Sequence, residues 1–338
     1  MSELLIALVV LGAIAVPHLL PLHAASPQAA SAVWFLALAL RGILGVGSAL
    51  FVFTYLPRTE LFQGAAGWCW AVITHHLGLS GHPLLHAAAI LPGLALAASL
   101  LWVLFGLVRA GVALHVYLAR RAVGEGPMGS LVVEGDDILI AVVGLGRGRI
   151  VVSQKALGAM DRDELTASFA HELGHLRRRH RPLLVLGSVF AGLGRLLPGT
   201  VSAAREFAFN LERDADEYAV RTTRDPLSLA SAICKAAGAA RPTAGLTALG
   251  GQGRVSLRLD HLTGNGRRAP HALEVAARML AGVLAVMVMA LAVAVPARAL
   301  AAPSDAAAVA RLSPACPWPD PVHRSTRNES RWSVGVAS

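Results

Sequence analysis

Apolar residues fall in long unbroken runs at the start and near the end of this chain, and in short periodic groups between them. Positions 4–40 carry no Asp, Glu, Lys or Arg. A first membrane span is predicted at about 2–22, with Pro17, Pro21 and Pro27 breaking the run. Its short apolar stretch would also suit a signal peptide. Glu3 stands where a leader has basic residues, which favours an uncleaved span. A second span is predicted at about 31–56. It carries Arg41, which is costly in lipid unless it faces a bundle interior or lies near a boundary. Positions 61–108 are again free of charge and too many for one crossing. His75, His76, Ser80, Gly81, His82 and Pro83 mark a loop there, leaving a third span at about 84–108. A fourth is predicted at 273–300, with 279–297 free of charge between Arg278 and Arg298.

Composition agrees with this reading. Of 338 residues, 55% are apolar and 15% charged, and the mean hydropathy is +0.57. A soluble domain carries about 25% charged residues. An ordinary soluble globule and a disordered chain are both excluded. The net charge is +9, nearly all of the basic side being arginine, a skew that with abundant Ala and Gly suits a GC-rich bacterial genome. Segment 119–272 holds 21 of the 30 Lys and Arg and 15 of the 21 Asp and Glu. Cationic loops stay in the cytoplasm, so this segment is expected there, with both termini outside and a short extracytoplasmic tail at 301–338. The charge is then a topology signal. No nucleic-acid reader motif accompanies it, so direct nucleic-acid binding is not expected. Three scattered cysteines, Cys69, Cys234 and Cys316, give neither a disulfide framework nor a Cys-x-x-Cys metal site.

Within 119–272 the runs 131–133, 138–143 and 149–153 are rich in Val and Ile. Gly135-Asp136 and the glycines at 144–148 lie between them, and a small antiparallel sheet is expected. The glycines do not have the spacing of a phosphate loop. Asp161 then opens a helix, with Glu164 three residues on as the second half of a capping box. Arg177, Arg178 and Arg179 suit its C-terminal end and an anionic leaflet, and Pro182 is expected to stop it.

This helix carries His171-Glu172-Leu173-Gly174-His175. Histidines at i and i+4 share one face, so both imidazoles can reach one metal. Glu172 between them can act as base toward an attacking water. A catalytic zinc site needs a third protein ligand. A metzincin would place a histidine where Arg181 stands, so that arrangement is excluded. His180 is one position short of it and reads as a surface histidine. Segment 183–194 is apolar but too short to cross a bilayer comfortably, so it is expected in a core or lying at the membrane. The helical stretch after it holds Glu212 and Asp216 on one face, with small Ala215 between them. Glu212 can supply the third ligand. Asp216 can hold the second ring N–H of a ligating histidine. Glu206 is the competing ligand.

The two motifs, their order and the flanking spans resemble the BlaR/MecR-type (antirepressor) membrane metallopeptidases over about 1–300. The resemblance rests on three spans, His-Glu-Leu-Gly-His at 171–175, Glu-Arg-Asp-Ala-Asp at 212–216, a fourth span, and Ile150-Val151-Val152-Ser153 ahead of the capped helix. It implies an α-helical multi-pass membrane protein with a cytoplasmic α+β zincin-like (gluzincin) domain. It also implies one Zn2+ per chain on His171, His175 and Glu212, with Glu172 as base. The implied reaction is regulated cleavage of a BlaI-like winged-helix repressor. The penicillin-binding sensor of the named members has no counterpart after the fourth span, so β-lactam sensing is not carried over. HtpX-type or CAAX-type membrane peptidases share the zinc motifs and are the alternative, in quality control or processing. A non-catalytic receptor would be expected to have lost a ligand or the base. Tyr218, His261 and nearby arginines are candidates for oxyanion stabilisation, and an edge strand near 138–143 can pair with an extended substrate. Outer-loop His75, His76, His82 and His86 could hold a sensing metal, although interfacial histidines without a shared ligand fit them as well.

Overall fold

The computed structural model describes residues 2–54, 83–144, 148–239, 254–264 and 270–301. Cys69, His75, His76, His82, Cys316, the side chain of His86 and the tail after 301 lie outside the described residues. The chain divides into a unit over Met1–Pro296 and another over Ala297–Ser338. The elements below belong to the first, apart from the end of the last helix.

Helices α1 (Ser2–Leu19) and α2 (Pro27–Thr54) open the chain, and α3 (Pro83–Arg121) follows. A sheet comes next, from β1 (Ala122–Glu125), β2 (Leu131–Val133), β3 (Ile140–Val143) and β4 (Arg149–Ser153). Six helices complete it: α4 (Gln154–Ala159), α5 (Arg162–Arg177), α6 (His180–Leu193), α7 (Thr200–Thr223), α8 (Pro226–Ala239) and α9 (Val255–Leu262). The last helix, α10, is His271–Ala301. By length and composition, three helical stretches among the described residues can cross a membrane: Pro27–Val52, Leu91–Arg121 and His271–Ala297. Leu8–Leu19 and His180–Leu193 are shorter apolar helices. Leu101, Trp102, Phe105 and Val108 on α3, and Val286, Met289 and Val293 on α10, are exposed. Long helices that present such residues outward are what membrane proteins show.

Arg41 is fully buried, as its place in an apolar run requires. Its guanidinium donates to the carbonyls of Ala37 at 3.0 Å, Ile14 at 2.9 Å and Pro198 at 3.3 Å, and lies 2.9 Å from His18 Nε2. Helix α6, the apolar 183–194 segment, packs against both α2 and α3. Ser99 Oγ donates to the Gly192 carbonyl at 2.8 Å. A Cβ on Gly45 would collide with the Leu193 carbonyl, so this crossing of α2 and α6 needs glycine. Val33, Trp34, Leu38, Phe207, Leu211 and Leu284 join α2, α7 and α10 in one core. The first helices and the metal-motif helices are therefore one packed body.

The sheet order is β1-β2-β4-β3. The β3–β4 pair is antiparallel, as its glycine turn predicts, but β2 pairs with β4 in parallel. The expected turn at Gly135-Asp136 does not make a hairpin, because β4 lies between β2 and β3. Strand β1 was not anticipated, since Ala-Val-Gly-Glu has no strand pattern. Strand β3 is the free edge on the side of α5.

The capping box forms as read. Asp161 Oδ1 accepts from the N–H groups of Asp163 and Glu164, and Glu164 Oε2 accepts from the Asp161 N–H at 2.9 Å. The buried Glu164 carboxylate also receives Ser231 Oγ and Lys235 Nζ, both at 2.6 Å, fastening α8 to α5. Burial alone would raise its pKa, but these donors outweigh burial and hold it below the usual carboxylate value. Glu164→Ala is therefore expected to cost about 2 kcal/mol, because Ser231 and the Asp161 N–H lose a buried acceptor. The stability that Glu164 contributes is present above its unfolded pKa and is lost as pH falls through its depressed folded value. Thermal unfolding in detergent should show a gap between wild type and variant at neutral pH that closes below about pH 4. A gap independent of pH would refute this account.

Candidate active site

Helix α5 places His171, Glu172 and His175, and α7 places Glu212, Asp214 and Asp216. The two helices meet at Gly174, whose Cβ, if it had one, would stand 3.2 Å from Ala215 Cα and from Tyr218. Small residues at 174 and 215 thus bring the His pair and the acidic face together. His171 Nε2 and His175 Nε2 lie 3.1 Å apart. Glu212 Oε2 is 3.6 Å from His171 Nε2, and Oε1 is 3.5 Å from His175 Nε2. Zinc with bonds of about 2.0–2.1 Å spans tetrahedral edges of about 3.3–3.4 Å. The three separations fit such a cage, and His171, His175 and Glu212 form a group that could hold a metal ion.

The side chains behind these donors aim them. His171 Nδ1 is 2.9 Å from Asp216 Oδ1. His175 Nδ1 is 3.0 Å from His180 Nδ1, and His180 Nε2 is 3.0 Å from Asp214 Oδ2. Asp214 accepts only, so it takes the Nε2 proton of His180. His180 Nδ1 is then an acceptor and His175 Nδ1 carries the proton, which leaves the His175 Nε2 lone pair facing Glu212 and His171. Arg178 and Gln28 hold the other oxygen of Asp214.

His180 is thus a correction to the sequence reading: it is buried, not a surface histidine. The cause is Arg179, whose left-handed backbone (φ 54°) turns the chain from α5 into α6 and swings His180 inward. Pro182 does not end that segment. It sits in the first turn of α6, where a missing N–H costs nothing. Arg258 on α9 was also not singled out. It makes a two-pronged pair with Asp216 at 2.6 and 2.7 Å and approaches Glu212 to 3.2 Å.

Electrostatics suit a cation. Burial disfavours charge on His171, but contacts with Asp216 and Glu212 outweigh it and raise its pKa to about 10. Burial, with His171 nearby, pushes His175 down to about 3. Burial would raise Glu212, yet the two histidines and Arg258 hold it well below the usual range. The carboxylates facing His171 and His175 thus favour positive charge at the centre of the cluster, which a divalent ion would supply. Glu172 accepts the Val142 N–H at 2.7 Å, and burial pushes its carboxyl up to about 7.

Other candidates stand apart. Glu206 is paired with Arg254, away from the histidines. Tyr218 packs on Gly174 with Arg178 5.7 Å from its ring centroid, and His261 Nε2 lies 3.1 Å from the His23 carbonyl. Neither is among the residues that line the cavity beside Glu172.

Residues 124–208 match the model of Peptidase family M48. No curated protein and no solved structure matches the chain. The matched stretch runs from the sheet through α5 and α6 into α7, and ends just before Glu212. The matched family is one of metallopeptidases, typically dependent on zinc.

Proposed function

We propose that this protein is a membrane-integral zinc endopeptidase, with His171, His175 and Glu212 as zinc ligands and Glu172 as general base. The observation that carries the reading is the cage of two Nε2 atoms and one carboxylate, separated by 3.1–3.6 Å, beside a carboxylate held on an edge strand. Zinc there would polarise the scissile carbonyl and acidify the attacking water. Glu172 takes the proton from that water and delivers it to the leaving amine. The Val142 N–H keeps Glu172 facing the cluster. Asp216 fixes His171 from behind, and the Asp214–His180 pair fixes His175, so both rings present Nε2. Arg258 balances the two carboxylates without joining the cage. Apart from the Val142 N–H, which Glu172 holds, the outer edge of β3 offers backbone groups to an extended substrate.

For the substrate, we propose a small winged-helix repressor dimer, the reading drawn from the BlaR/MecR resemblance. The peptidase domain would face the cytoplasm, with the trigger acting through the spans, the outer loop or the tail. Cleavage would separate two half-site contacts, and operator affinity would fall through lost avidity. The test is co-expression of the repressor encoded beside this gene with wild type and with Glu172→Gln. Fragments should appear with wild type alone, under an inducing condition. A second reading, quality control of membrane proteins, is favoured by the packing of α6 and α7 on the apolar helix α2, which keeps the site close to that bundle. Cleavage of misfolded membrane proteins with no repressor cleavage in the same assay would decide for it.

A further inference from the structure

The two ligating histidines are supported from different parts of the chain. Behind His171 stand Asp216 on α7 and Arg258 on α9. Behind His175 stand His180 and then Asp214. The outer oxygen of Asp214 takes a guanidinium N–H from Arg178 and, at 2.6 Å, the amide N–H of Gln28. Gln28 lies in the first turn of α2, 186 residues from Asp214 along the chain. Its amide also stands 3.3 Å from Glu217.

The segment that carries Gln28 is fastened from two sides. Buried Arg213, next to Asp214 on α7, donates to the Ala25 carbonyl at 3.1 Å. The Ser26 N–H and hydroxyl donate to Glu274, in the first turn of α10, at 2.9 and 2.6 Å. Leu22, Ala25, Ala29 and Ala30 are buried around these contacts. Helices α2 and α10 are both long and apolar enough to cross a membrane. Their heads meet each other and α7 here, and Gln28 is where this junction touches the support of a ligand.

We propose that Gln28 is a positioning residue of the metal centre, setting the His175 ring through Asp214 and His180, so that the ligand answers to the placement of α2. The proposal rests on the metallopeptidase reading and adds a control of the same site. With both donors in place, Asp214 is held between the end of α5 and the head of α2. Without Gln28 the carboxylate is left to Arg178 alone, whose charge-assisted bond draws it toward α5. His180 and then the His175 ring follow, because each is held by the next. Gln28 itself is exposed, so replacing it opens no cavity in the core.

Cobalt(II) tests this without turnover, since its visible bands follow the geometry of the ligands. The full-length chain in detergent is treated with chelator and titrated with cobalt(II). Gln28→Ala should still take one cobalt per chain, bind it about tenfold more weakly and shift its visible bands. Gln28→Glu, which sets another carboxylate against Asp214 and Glu217, should do so more strongly. Gln28→Lys restores a donor and should return affinity and bands to those of wild type. Ser26→Ala loosens the tie to Glu274 without touching Asp214, and should lower thermal stability while leaving the bands in place. Wild-type bands in both Gln28→Ala and Gln28→Glu, no recovery in Gln28→Lys, or the same shift in Ser26→Ala would overturn the proposal while the metal site stands. Failure of the wild type to take up cobalt would overturn the metallopeptidase reading, and this proposal with it.

Discussion

Glu172→Gln is expected to keep one zinc per chain and to lower proteolysis by about 10²–10⁴-fold, the usual worth of a positioned general base. The two halves of that result follow from different residues. The donor atoms sit on His171, His175 and Glu212, and none of their contacts passes through the Glu172 carboxylate. Glutamine has the same shape, and its amide oxygen can accept the Val142 N–H that Glu172 Oε2 accepts now. The helix, the edge strand and the cage therefore have no reason to move. An amide, however, cannot take a proton from water at neutral pH. Metal content of the purified variant and degradation of an unfolded protein such as casein measure the two halves. Loss of zinc would mean that Glu172 supports the cage rather than the proton transfer. Undiminished cleavage would remove it from the mechanism.

How far the site could be read in advance depended on how local each signal was. The histidine pair and Glu212 with Asp216 sit at i, i+4 spacings, and helical periodicity alone puts each pair on one face. The capping box at Asp161 and Glu164 is equally local. Ala215 is small enough to permit a close crossing, and α5 and α7 do cross there, against Gly174. His180 escaped because its burial depends on the left-handed turn at Arg179, a position with no glycine to announce it. Arg258 escaped because it lies 42 residues from Asp216 and looks like any arginine on an amphipathic helix. The parallel β2–β4 pairing was hidden for a similar reason: Gly135-Asp136 gives a local turn signal, while the choice of strand neighbour is a matter of tertiary packing. Arg41 was informative in the opposite sense. A charge in an apolar run has to be satisfied inside, and it is, by carbonyls of α1, α2 and the α6–α7 turn.

Removing the carboxylate ligand separates the two glutamates of α7 that the sequence left in competition. Glu212→Ala is expected to lose stoichiometric zinc, since two imidazoles alone lack the third protein donor of a catalytic site. The electrostatics act in the same direction, because Glu212 is the carboxylate that faces both Nε2 atoms. Glu206→Ala should bind zinc as wild type does. Its carboxylate is occupied by Arg254, and the loss of that partly exposed pair should cost no more than about 1 kcal/mol of stability. Asp216→Asn should fall between the two, with metal affinity or activity lower by about 10–100-fold. Asparagine keeps an oxygen near His171 Nδ1 but brings no charge to stabilise the bound ring, and the two-pronged pair with Arg258 is lost. Arg258 would then bear on Glu212 alone and draw its charge away from the cage. Zinc content after dialysis against a graded chelator series ranks the three variants. The order expected is Glu206→Ala, then Asp216→Asn, then Glu212→Ala. A Glu212→Ala protein that keeps its zinc while Glu206→Ala loses it would mean that α7 presents a different face to the histidines when the metal is bound.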